Sequence, residues 1–85
     1  MSAAGAYWVS PHAVKRFQQR IAPLPENMAL AAIIKALADP TALVKPQGDG
    51  RTVRIRTRAP HKFRAFVVAA RTPDELPAVT TIFEG

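Results

Sequence analysis

The chain has 85 residues, 48% of them apolar and 21% charged, which defines one globular domain with too little chain for two cores. It has no cysteine, so disulfides and cysteine-based zinc sites are excluded, and its two histidines and six scattered carboxylates make a poor metal-binding set. Twelve Lys and Arg against six Asp and Glu give a net charge of +6, and eight of the twelve cations are arginine, whose planar fork suits phosphate.

The charges are segregated along the chain. Seven cations and no carboxylate lie between Arg51 and Arg71, and three cations and no carboxylate lie between Met1 and Pro25. Such segregation predicts a positive face and a polyanionic or acidic partner. The N-terminus lacks a basic segment followed by a long apolar run, and MALAAII is too short to span a bilayer. The expectation is a cytoplasmic protein with no membrane partner and no cofactor, and a single basic domain over residues 1–85.

In chain order, Ala6 to Val9 reads as a short edge strand. Tyr7 and Trp8 lie in it, and a Trp in so small a domain is expected in the core, with base stacking as the alternative. Ser10-Pro11 reads as a helix start, with Ser as N-cap and Pro at the first helical position. Ala13, Val14, Phe17 and Ile21 then recur at helical spacing, and Pro23 closes the helix. Pro25 opens a second helix with Glu26 in its first turn. Its expected buried stripe is Leu30, Ile33, Ile34 and Leu37, and Asp39-Pro40 stops it.

The period then changes. Ala42 to Lys45 is a strand candidate, and QGDG at 47–50 is a turn. RTVRIRTR alternates, with Val53 and Ile55 on one face and Arg54, Arg56 and Arg58 on the other. FRAFVVAA is apolar enough for a central strand, and AVTTIF closes the chain as a last strand. The order β-α-α-β-β-β-β predicts an α+β fold, with two N-terminal helices packed on one face of a small, mostly antiparallel sheet.

Two groups of residues carry candidate chemistry. His12, Arg16 and Arg20 recur every fourth residue, so they form one stripe of the first helix. His12 falls in the first turn, where free backbone N–H groups favour an anion. In a ribonuclease, His12 would be the base for the 2′-hydroxyl, with the arginines stabilising the phosphorane charge. Without chemistry, the same stripe contacts an anion or simply covers the edge of the sheet. Arg54, Arg56 and Arg58 would repeat at about 6.8 Å along their strand, close to the phosphate spacing of an extended single strand. Their bland alternative is an edge strand kept from aggregating by charge. Lys62 and Arg64 extend this basic segment, and His61 sits beside them in a loop where a solvated histidine is expected.

The pattern S-P-H-A-V-x-R-F-x-x-R, followed by a helix ending ALADP, resembles small proteins of an H-A-x-x-R-motif domain of unknown function. These in turn look like distant relatives of the BrnT and RelE-like toxins. His12, Ala13 and Arg16 match the motif, and Arg20 matches its second arginine. The resemblance implies a RelE/BrnT-like fold and contact with RNA, with ribonuclease toxin activity as one outcome. The alternative is a non-catalytic interaction protein, encoded by a phage or mobile element, that blocks a nucleic-acid-handling complex.

Overall fold

The computed structural model describes residues 7–85. Ala6, expected to begin the first strand, lies outside the described residues. The elements follow in the expected order: β1 (Trp8–Val9), α1 (Pro11–Arg20), α2 (Glu26–Leu37), β2 (Leu43–Pro46), β3 (Thr52–Arg56), β4 (Phe63–Val68) and β5 (Ala78–Glu84). Among the described residues, no helix is long and apolar enough to cross a membrane.

Helix α1 begins as its sequence dictates. Ser10 is extended (φ −66°, ψ 152°), and its Oγ accepts the Ala13 amide at 3.0 Å, with Pro11 just inside the helix. Ala13, Val14 and Phe17 are buried, and the helix ends where Ile21 donates its amide to the Phe17 carbonyl at 2.9 Å. Helix α2 has no side-chain cap, only Glu26 in its first turn. Its buried line is Ala29, Ile33 and Leu37, which corrects the expected stripe: Leu30 is 36% exposed and Ile34 is half-buried. The sequence ENMALAAIIKAL is apolar nearly all round, so its periodicity does not fix which line of residues meets α1 and the sheet.

The five strands lie in the order β1-β5-β4-β3-β2, with β1 parallel to β5 and every other pair antiparallel. Strand β4 is central, and its burial alternates because only one of its faces meets the helices. Both helices lie against that one face, where Ile55, Phe63, Ala65, Val67, Val79 and Ile82 join Phe17 and Ile33 in a single core. Phe17 stands edge-on to Phe63, with ring centroids 5.6 Å apart. Val53, expected in the core, packs at its margin and is only half-buried.

Two local devices shape the surface. The β2–β3 turn has Gly48 and Gly50 at φ +87° and +76°, a region open to glycine without strain. Between them, Asp49 accepts the amides of Arg51 at 2.9 Å and Thr52 at 2.6 Å. The second device is a β-bulge. Phe66 pairs with Thr81, but Val67 pairs with Val79, so Thr80 is an extra residue in β5. Val79 and Ile82 therefore both face the core, three residues apart, and Phe83 turns to the other side.

Candidate nucleic-acid interface

The face of the sheet turned away from the helices collects the basic segment. Paired residues of neighbouring strands project from the same face, so the register fixes who stands beside whom. Leu43, Arg56, Arg64 and Phe83 form one cross-strand row, and Lys45, Arg54, Phe66 and Thr81 form the next. Trp8, Ala78, Val68 and Thr52 form a third. No carboxylate stands in any of these rows. Arg56 lies directly opposite Arg64, and Lys45 directly opposite Arg54. Like charges so placed destabilise the sheet.

Arg20 reaches this face from α1. The helix lies along β5, and the Arg20 side chain donates to the Ile82 carbonyl at 3.0 Å. Its guanidinium carbon sits 4.8 Å from the centroid of the Phe83 ring, a cation–π arrangement. Phe66 and Phe83 are edge-on at 5.6 Å. The result is an aromatic pair ringed by Arg20, Arg54 and Arg64.

The other expected residues divide by position. Arg16 donates to Gln19 Oε1 at 2.7 Å on the exposed side of α1. His12 is exposed in the first turn of α1, about 12 Å along the axis from Arg20 at 1.5 Å per residue. Of the predicted helical stripe, only Arg20 is thus seen to join the sheet face. Arg58 does not lie on β3, which ends at Arg56. Thr57 is buried, and its Oγ1 donates to the His61 carbonyl at 2.8 Å and accepts the Phe63 amide at 2.9 Å. That knot of bonds ends the strand and turns the chain. Arg58 instead donates to the Thr41 carbonyl at 3.2 Å and, with Arg56 and Lys62, lines a depression of about 450 Å³ at the end of the sheet. A neighbouring depression is lined by Arg54, Arg56 and Arg64, and another holds Arg20, His61 and Lys62 beside Glu84. His61 is half-buried, edge-on to Phe17 at 5.6 Å, rather than fully solvated.

The electrostatics follow from what each charge is bonded to. Arg16, Arg20, Arg58 and Arg64 are held by neutral oxygens, the last by the Glu84 backbone carbonyl at 2.9 Å. These bonds orient the positive charges and carry no negative charge of their own, although Arg58 also stands near enough to Asp39 to influence its carboxyl. Asp39 and Asp49, by contrast, are occupied in turns. The backbone amide and then the hydroxyl of Thr41 hold Asp39 below the usual carboxylate range, with the Arg58 charge a smaller influence against a small desolvation effect. The Thr52 hydroxyl, then the Thr52 and Arg51 amides, lower Asp49 to about 2. Among the described residues, no group of three or more His, Asp or Glu gathers as a metal site would need.

Several of these neighbours escape a reading of the sequence. Trp8 is 54% exposed, not in the core, because the short β1 at the sheet edge directs it to the open face beside Ala78. Phe83 is 39% exposed because of the bulge, and Phe66 and Lys45 join the arginines only through strand pairing. Comparison of the chain with models of protein families, with curated proteins and with solved structures finds no match. These comparisons show no relationship to BrnT or RelE-like proteins.

Proposed function

We propose that this protein binds RNA through the open face of its sheet, gripping the phosphate backbone with Arg54, Arg56, Arg64, Lys45 and Arg20. One observation carries the proposal: five cations from α1, β2, β3 and β4 converge on one face whose strand rows hold no carboxylate. Phosphate contacts supply most of non-specific nucleic-acid affinity, and they need this kind of uncancelled positive surface. Arg58 and Lys62 continue the track around the end of the sheet. Binding without chemistry is the form the geometry favours. His12 stands apart from Arg20 on α1, and Arg16 is turned to Gln19, so ribonuclease toxin activity has only the motif to support it.

A second reading is an acidic protein partner, as expected of an inhibitor that blocks a nucleic-acid-handling complex. It is favoured by the edge strand β2, where Leu43 and Val44 are 53% and 61% exposed beside the cations. Capture of partners from a lysate, with and without nuclease, separates the two. Loss of all partners after nuclease treatment supports direct RNA binding, whereas a nuclease-resistant acidic partner supports the second reading.

A further inference from the structure

Building on the RNA reading above, we infer that the sheet face selects unpaired bases, so that its ligand is single-stranded RNA and not the duplex. The Phe66–Phe83 pair is the carrier. Phe83 is partly exposed although β5 has buried positions on either side of the bulge, and it is the extra Thr80 that puts Ile82 in the core and Phe83 outside. The aromatic pair lies inside the cationic ring rather than beside it. Arg54 is the cross-strand neighbour of Phe66, Arg64 that of Phe83, and the Arg20 guanidinium lies over the Phe83 ring.

This arrangement matches the two parts of a single strand. Its phosphates meet cations carried on neighbouring strands about 4.8 Å apart and at every second residue, about 6.8 Å, along a strand, while its bases are free to stack on aromatic rings and on the guanidinium plane. A duplex offers the same phosphates with its bases already paired and stacked, and the deep, narrow major groove of A-form RNA bars side chains from their edges. The sheet face therefore gains from an unpaired strand a contact that a duplex cannot make.

The test uses the full chain and three labelled probes, followed by fluorescence anisotropy at fixed salt. The probes are an unstructured RNA 12-mer, the same strand annealed to its complement, and a strand of equal length without bases. The single strand is expected to bind at least tenfold more tightly than either other probe. Phe83→Ala should weaken single-strand binding by about 5- to 150-fold, the usual worth of one stacked base. The same change should remove most of the preference for the single strand over the duplex, and Phe83→Trp should retain the wild-type preference. If Phe83→Ala does not melt cooperatively, Phe83→Leu keeps an apolar side chain without a ring and replaces it. Equal affinity for all three probes, with Phe83→Ala or Phe83→Leu indistinguishable from wild type, overturns base selection while leaving phosphate binding intact. No binding of any probe at 50 mM salt overturns the RNA reading itself, and base selection with it.

Discussion

Replacing Arg54 and Arg56 with glutamine removes two charges from the centre of the basic face while keeping a polar, though shorter, side chain at each position. Five cations are grouped on this face, namely Lys45, Arg54, Arg56, Arg64 and Arg20. If each neutralises one phosphate of a single strand, the logarithm of the binding constant should fall with the logarithm of salt with a slope of about −3.5, at roughly 0.7 per contact. Raising salt from 50 to 200 mM would then weaken wild-type binding about 130-fold. With three contacts left, the slope becomes about −2.1 and the same change in salt weakens binding only about 18-fold. The measurement is anisotropy of a labelled RNA at four or more salt concentrations, with a thermal melt of each variant to show that both are folded. A double variant with the wild-type slope would refute placement of these arginines on the phosphates, whatever its absolute affinity.

Other perturbations test the fold and the site separately. Phe17 is fully buried against Phe63 and His61, so Phe17→Ala should cost about 3–5 kcal/mol in urea denaturation. A domain of this size holds only roughly 4–13 kcal/mol in all; a loss below about 1 kcal/mol would contradict the packing described. The Asp49 carboxyl is lowered to about 2 in the fold against about 3.9 in an unfolded chain. Its contribution is therefore complete above about pH 4 and lost as pH falls through about 2. Asp49→Asn should flatten the pH dependence of stability in that window, and an unchanged acid limb would show that the turn does not depend on the charge. His12→Ala should leave RNA affinity unchanged. If the wild-type protein cleaves RNA, the same substitution should slow cleavage by about 10²–10⁴-fold, and cleavage at the wild-type rate would remove His12 as the base.

The order of elements is legible because each boundary has a local chemical cause. Ser10-Pro11 starts one helix, the 23–25 prolines separate it from the next, and the alternation around Val53 and Ile55 marks a strand. The helix faces are less legible. Phe17 is fixed by a clear stripe, but α2 is apolar on most sides, and only its packing against α1 and the sheet selects Ala29 over Leu30. The basic segment announces itself in composition, yet Arg58 leaves the strand because Thr57 makes a buried turn with His61 and Phe63. The aromatic half of the candidate site is the least legible. A strict period of two through AVTTIF would set Phe83 on the face of Val79, and nothing in two adjacent threonines marks the bulge that reverses it. Trp8 is misplaced by a size argument that ignores how little of β1 is paired.

If a polyanion binds this face, the opposition of Arg56 to Arg64 and of Lys45 to Arg54 would make the folded state a reporter of its own occupancy. Any polyanion that settles between these residues removes their mutual repulsion, so the folded population rises with ligand concentration through mass action. Free molecules open more often than bound ones and expose β3 and β4 to proteases during those openings. In a mixture of the two, proteolysis would remove the unliganded copies first and leave the occupied fraction enriched.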